Sequence, residues 1–402
     1  MTNWPVKTLG EVCEFVRGVT YDKNDARSEL KNEYIPLLRA TNITESGLLR
    51  EELVFVPKSG VRADQKLMSG DALITIASGS ASVVGRSVLV EDPGEMTFGA
   101  FCGVLRPGPE LFPRYLSHFM SSRSVRTAWS EAAQGTNINN LKRDDILRTE
   151  CPVPPLEEQK RIVALLDQAT TRISELTACY EQARTHANDL FTSALRDELE
   201  SNHVWRVRPL GSIFRVCSSK RVLKSEWRQS GVPFYRGREI TALSKYGAVD
   251  NELFIAEEHF TELVQKHGAP KAGDIMITAI GTIGNSYVVK DVDRFYFKDA
   301  SVIWLDKREA ISSEYVNFWI MSPAFTGQLK SGNGATVDTL TIDGLSKMDI
   351  PVPPIEEQLH IVARLEAMKV KTSEMVSIFN SKLTAAHHLR QSILESAFAG
   401  DP

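Results

Sequence analysis

The chain has 402 residues, of which 42% are hydrophobic and 24% charged, with a formal net charge of −4. These values are ordinary for a soluble globular protein of two or three domains. No apolar run reaches the roughly 18–20 residues with which a helix crosses a bilayer, so no membrane-spanning helix is expected. The acidic balance gives no global sign of a nucleic-acid partner, so any DNA footprint must be local. Five cysteines, odd in number and without CxxC spacing, read as reduced thiols and not as a disulfide frame or zinc site. The N-terminus lacks a basic-then-apolar leader, and the expected compartment is the cytoplasm.

Residues 1–150 mix short strands with helices. "YIPLLRATNI" from Tyr34, "DALITIAS" from Asp71 and "GRSVLVE" from Gly85 have strand character, and an amphipathic helix starts at Pro113. Polar Gly/Ser/Asn loops fall at Ser78–Arg86 and Gly135–Lys142. Residues 151–202 then read as a long helix. "PP" sets its start, and Glu157 and Glu158 occupy the first turn, where the helix dipole favours negative charge. Apolar or small residues follow at Ile162, Leu166, Ala169, Ile173, Leu176, Tyr180, Ala183, Ala187, Leu190 and Ala194. Their alternating steps of four and three make a heptad seam.

Residues 203–349 open on a strongly basic stretch. Nine basic residues and one acid lie between Arg206 and Arg238, with Trp227, Phe234 and Tyr235 interleaved. Such a cluster in an acidic protein points to a polyanion. Polar loops return at Gly281–Ser286 and Gly332–Asp338, and an amphipathic helix starts near Ser312. Residues 350–402 form the second long helix, with its seam at Ile361, Leu365, Met368, Thr372, Met375, Phe379, Lys382, Ala386, Leu389 and Ile393. Thr372 and Lys382 are its weak positions.

The two halves are copies. "CPVPPLEEQKRIVALLD" at Cys151 returns 199 residues later as "IPVPPIEEQLHIVARLE". Gly135 matches Gly334 at the same offset. "GDALITIASGS" answers "GDIMITAIGTIG", "YIPLLRATNIT" answers "GVPFYRGREIT", and Trp4 matches Trp205. Each unit of about 200 residues is a variable globular part followed by a better-matched helical tail. Matched seams in one chain favour intramolecular, antiparallel pairing of helices about 65 Å long, at about 1.5 Å per residue. The alternatives are a helix packed on its own globular part and a homodimeric coiled coil. The expected fold is α+β, with two globular domains of mixed sheet and helices separated by two long antiparallel coiled-coil helices in a pseudo-two-fold repeat.

Catalytic signatures are missing. There is no P-loop, no GxGxxG after a strand, no GxSxG, no HExxH, and no [DNS]PP[FYW] tetrapeptide of amino-methyltransferases. The His387-His388 pair reads as solvent-exposed. No residue is assigned to catalysis or to metal binding.

The doubled "PVPP-[LI]-EEQ" stretch, the "IPLLRATNI"/"VPFYRGREI" pair and the "GD…IT" strands carry a resemblance over essentially the whole chain. It resembles the specificity subunit of type I restriction–modification systems. The resemblance implies two target-recognition domains, each reading half of a split, asymmetric site in double-stranded DNA. It implies helices that space the two readers and dock two methyltransferase subunits, with restriction subunits joining the full complex. S-adenosylmethionine, ATP and magnesium would belong to those partners, and this chain would carry no cofactor. Base-contacting residues vary with the target, so the candidates come from the loops and the basic run. They are Arg39, Asn42, Ser80, Arg86, Asn137 and Lys142 in the first domain, and Arg236, Arg238, Thr282, Asn285 and Thr336 in the second. A stand-alone methyltransferase and a scaffold that never reads bases remain as alternatives.

Overall fold

In the first globular part, Cys13–Arg17, Cys102–Pro107, Ala72–Thr75 and Ser87–Leu89 pair in that order as an antiparallel sheet. The second globular part repeats it with Phe214–Cys217, Val302–Lys307, Ile275–Thr278 and Ser286–Val288. "ALIT" and "IMIT" are wholly buried strands, which is why they run apolar instead of alternating. A second sheet in each copy contains a parallel pair, Tyr34–Leu38 with Thr97–Phe98 and Val232–Tyr235 with Tyr296–Phe297. The second sheet of each copy is therefore mixed, as expected. The computed structural model describes residues 4–44, 47–133, 139–200, 204–331 and 339–399.

The Gly-Asp pair ahead of each buried strand is a tight turn with a buried anchor. Gly70 and Gly273 take positive φ (91° and 86°), a conformation that favours glycine. The carboxylates that follow accept the backbone N–H three residues upstream, Asp71 from Met68 at 2.8 Å and Asp274 from Lys271 at 2.9 Å. Burying a carboxylate requires further donors. Asp71 takes them from Arg106 (2.8 and 2.9 Å), Asp274 from the Trp304 indole N–H and the Lys307 amide (2.9 Å each). The turn is kept and the partner is exchanged.

A short strand runs into the PVPP stretch, and the EEQ stretch is a joint. Val6–Thr8 pairs with Glu150–Pro152, and Arg206–Pro209 with Asp349–Val352. The helices Leu156–Glu200 and Ile355–Ala399, 45 residues each, start directly afterwards. Gln159 is fully buried on the first turn. Its Oε1 accepts from Phe112 N at 2.7 Å, and its Nε2 donates to the carbonyls of Glu110 and Pro154, both at 2.8 Å. Gln358 repeats this, accepting from Ser312 N at 2.8 Å and donating to Pro353 O at 2.9 Å. Tyr115 and Tyr315 complete the joint by donating to Pro152 O and Pro351 O (2.9 and 2.8 Å).

The chain divides into two compact units, residues 1–180 with 381–402, and residues 181–380. Inside the first unit, Ile162 and Leu166 share one core with Leu394 and Ala397, while Tyr180 lies under the Lys382 ammonium at 5.6 Å. Inside the second, Arg184 donates to Asn380 (3.2 Å) and Glu198 accepts a fork from Arg364 (2.8 and 2.6 Å). In each unit rising numbers on one long helix meet falling numbers on the other, so the pairing is antiparallel. Each globular core also holds the start of its own copy's helix and the end of the other copy's. In the first, Phe398 meets Tyr115 and Phe119 edge-on at 5.2 and 5.4 Å; in the second, Phe191 meets Phe318 at 6.3 Å.

The seam differs from the expected one at alternate positions. Ile162, Leu166, Ile173, Ile361 and Leu365 are buried, and Tyr180, Phe379 and Ile393 are half-buried, as the heptad predicts. Leu176, Leu190, Met375 and Leu389 are instead 49%, 47%, 39% and 52% exposed. Their places are taken by the next residues, Thr177, Phe191, Val376 and Arg390, all half-buried. From Ile173 the seam therefore steps four and then three, not three and then four. The shift removes one weak position, because Leu383 replaces Lys382. Thr177 and the buried Thr372 are tolerated because each hydroxyl donates to the carbonyl four residues back (2.8 and 3.0 Å).

This corrected seam separates two neighbouring residues sharply. Phe191→Ala should cost about 2 kcal/mol, below the full core value because the ring is half-buried. Leu190→Ala should cost under about 1 kcal/mol. Denaturant unfolding of the two variants measures the difference, and equal losses would restore the original register.

Candidate nucleic-acid interface

The loops that leave the buried strands are drawn against the loops that lead into the tails. In the first domain Asn139–Asn140 pairs with Ala77–Ser78, and the Asn139 amide reaches the carbonyls of Ser78 and Gly79 at 3.5 and 3.4 Å. In the second, Ile280 bridges Thr339, and Leu340 N donates to Ala279 O at 2.8 Å. Ser80, Lys142 and Thr282 are exposed on these loops. Ser80 Oγ lies 3.0 Å from Ser82 Oγ. Asn285 is half-buried and donates to Thr241 Oγ1 at 3.1 Å. Asn137 and Thr336 lie outside the described residues.

Two candidate sites need correction. Asn42 is buried and fully used inside its own loop. Its Oδ1 accepts from Arg39 N (2.9 Å), and its Nδ2 donates to Leu49 O (3.1 Å) and Glu51 O (3.0 Å). It staples the backbone that follows the strand and presents nothing to a ligand. Arg39, half-buried, donates to Glu52 O at 3.0 Å. The equivalent staple in the second copy is Glu239, which accepts from Arg236 N at 2.8 Å.

The basic run is also less free than its sequence suggests. Glu239 is fully buried and gathers the guanidinium groups of Arg236 (2.9 Å) and Arg238 (3.0 Å), while Arg238 reaches Glu252 at 2.8 Å as well. Arg208 forks onto Glu309 (2.6 and 2.9 Å). Burial pushes the Glu239 carboxyl up, but the donors from Arg236 and Arg238 outweigh it and hold it below the usual carboxylate range. The stability that Glu239 contributes is therefore present above about pH 4.5 and lost on acidification below it.

Basic residues collect elsewhere too, in one cleft of each domain, on different faces of the repeated sheet. Beyond the end of Cys13–Arg17 a cleft of about 500 Å³ is lined by Arg17, Arg62, Lys142 and Arg143 with one carboxylate, Asp64. Beyond the end of Phe214–Cys217 a cleft of about 630 Å³ is lined by Arg215, Lys220, Lys266, Lys271 and Arg308, again with one carboxylate, Asp306. Asp64 is held by Arg62 (3.0 and 2.9 Å), and Asp306 by Arg308 and Lys271. Lys142 was legible as a candidate. Lys266, Lys271 and Arg308 were not, because strand pairing brings them together from distant stretches. Arg86 lies apart, in a third cleft of the first unit described below. Among the described residues no group of three His, Cys, Asp or Glu side chains could hold a metal ion, and no helix is long and apolar enough to cross a membrane.

The duplicated frame, with a basic cleft of different place and lining in each copy, has the surface chemistry of a polyanion binder. The known proteins it matches specify the kind. The type I restriction modification DNA specificity domain matches twice, over residues 1–182 and 202–376. The EcoKI specificity subunit of Escherichia coli K12 is 31% identical over 99% of this chain and 89% of that one. The StySPI specificity subunit of Salmonella potsdam is 30% identical with the same coverage. Among solved structures, a chain from a study of assembly and conformational transition of the type I R-M system superposes with a TM-score of 0.78 at 20% identity, covering 100% of this chain and 99% of that one. The HsdS subunit from Thermoanaerobacter tengcongensis gives 0.56 at 20% identity, covering 100% and 98%. The chain belongs to the family of type I restriction–modification specificity subunits.

Arg236→Ala should leave the buried Glu239 carboxylate short of donors and cost about 3 kcal/mol. Arg238→Ala, at a side chain 57% exposed, should cost under about 1 kcal/mol. Thermal unfolding distinguishes the two. Equal and small losses would return Arg236 to the pool of free DNA contacts.

Proposed function

We propose that this chain is the non-catalytic DNA-reading subunit of a cytoplasmic type I restriction–modification complex. Each domain reads one half of a bipartite, asymmetric target, residues 1–150 one half and 203–349 the other. The observation that carries this reading is the duplicated frame with a different basic cleft in each copy. A repeated frame fits the local two-fold symmetry of duplex DNA, and different linings fit an asymmetric sequence. Basic side chains supply phosphate affinity, while the loop residues Ser80, Lys142, Thr282 and Asn285 supply the groups that meet base edges.

The long helices suit a second role, docking two methyltransferase subunits and, through them, the restriction subunits. The exposed apolar residues Leu176 and Leu190 recur at the repeat offset as Met375 and Leu389. Two like partners would meet two like stripes. Methyl transfer and DNA cleavage then belong to those partners, together with S-adenosylmethionine, ATP and magnesium. This chain's own side chains position DNA and hold register.

Exchanging residues 1–150 for the first domain of another family member tests the division of labour. With methyltransferase subunits supplied, mapping of methylated adenines should show one half-site changed and the other retained. A change in both, or methylation without sequence preference, would defeat the reading.

A further inference from the structure

The third cleft of the first unit, about 740 Å³, lies between its globular part and the last turns of the helix Ile355–Ala399. Arg86, Arg123 and Arg126 line one wall, and His387, His388 and Arg390 the other. The single carboxylate among its lining residues, Glu395, is engaged by Ser124 N at 2.8 Å. Arg123 and Arg390 make no ion pair among the described residues. Two further lining atoms, Ser87 Oγ and Gln391 Oε1, are enclosed without a hydrogen-bond partner. Packing does not explain the concentration of cations here, since like charges on facing walls repel.

The second copy shows that the repeated frame does not require this charge. Gly85 and Gly284 make the same positive-φ turn, with Thr75 N donating to Arg86 O and Thr278 N to Asn285 O (2.8 and 2.9 Å), so Arg86 corresponds to Asn285. The helices Arg123–Ala132 and Pro323–Ser331 start at equivalent serines, which places Pro323 and Thr326 where the first copy has Arg123 and Arg126. At the repeat offset His387, His388 and Arg390 become Asn188, Asp189 and Phe191. All six basic positions are lost and one acid is gained. A feature present in one copy alone serves something that copy does alone.

We infer that this cleft grips the phosphodiester backbone of the DNA beside the half-site read by the first domain, with the end of the second long helix forming part of the grip. It rests on the DNA-reading function proposed above. The chemistry fits. Arginine forks pair with phosphate oxygens in bidentate fashion, and imidazole and hydroxyl groups add donors. Contacts of this kind carry affinity and salt dependence but no sequence information. The first half-site would be held by the backbone more firmly than the second.

The test uses the full chain assembled with its methyltransferase subunits, and measures affinity for target and random duplex across a salt series. In R123Q/R390Q the slope of log affinity against log salt should fall by about two, about one for each lost phosphate contact. R123Q alone, at an exposed residue, should lower it by about one, and R123K/R390K should keep the wild-type slope. Affinity should fall by the same factor on target and random DNA, and the methylated sequence should not change. An unchanged slope in both glutamine variants would overturn the inference, as would a loss confined to one target sequence. Loss of methyltransferase binding with DNA affinity per complex intact would reassign the cleft to a protein partner. Absence of any target preference in the wild-type complex would instead defeat the DNA-reading function itself.

Discussion

A buried glutamine at each joint holds the architecture in register. Gln159 and Gln358 sit where a strand becomes a 45-residue helix, and their amides satisfy backbone groups of both the strand end and the short helix packed on the domain. An amide is suited to the place. It accepts and donates at once, so the three elements it touches are left without unsatisfied groups in the core. A carboxylate could not donate, and an apolar residue would strand two or three backbone partners. The direction in which each long helix leaves its domain is fixed by these few bonds.

With the joint fixed, the two copies diverge without losing their frame. Asp71 and Asp274 keep the same turn with different partners, and Asn42 and Glu239 keep the same backbone staple with different chemistry. Glu395 and Glu200 both reach the start of a short helix from the opposite long helix, through Ser124 N and Ala324 N (2.8 and 3.1 Å). Conserved geometry and changed surface coexist because the frame depends on backbone hydrogen bonds, which many side chains can satisfy. The surface is then available for discrimination.

The repeat, the strand–helix alternation and the long helices were legible because they are periodic or duplicated, and both signals are local. The seam was legible only by half. Leu176 and Leu190 are better apolar residues than Thr177 and are nearly equivalent to Phe191, so composition favours the wrong neighbour. The tertiary partner, the Phe318 ring beside Phe191, decides the register. Asn42 read as a base-reading amide because a side chain bonded to its own loop looks the same in sequence as one facing solvent. The basic run read as free charge because Glu252 and Glu309 lie outside it. Gln159 and Gln358 stood in the matched stretch, yet nothing in a helical first turn distinguishes a buried amide from an exposed one.

The composition of the first compact unit bears on how the chain matures. Its core is built from the first 180 residues and from the segment 381–402, so Leu394, Ala397 and Phe398 are laid on Tyr115 and Phe119 only after the whole second unit has been synthesised. The second unit, residues 181–380, is continuous and needs nothing further along the chain. Order of synthesis and order of completion are therefore reversed. The domain translated first waits with an apolar face uncovered, and the domain translated second closes before it. A nonsense change just before the codons for residues 381–402 would damage the first unit more than the second, although it lies far from residues 1–180 along the chain.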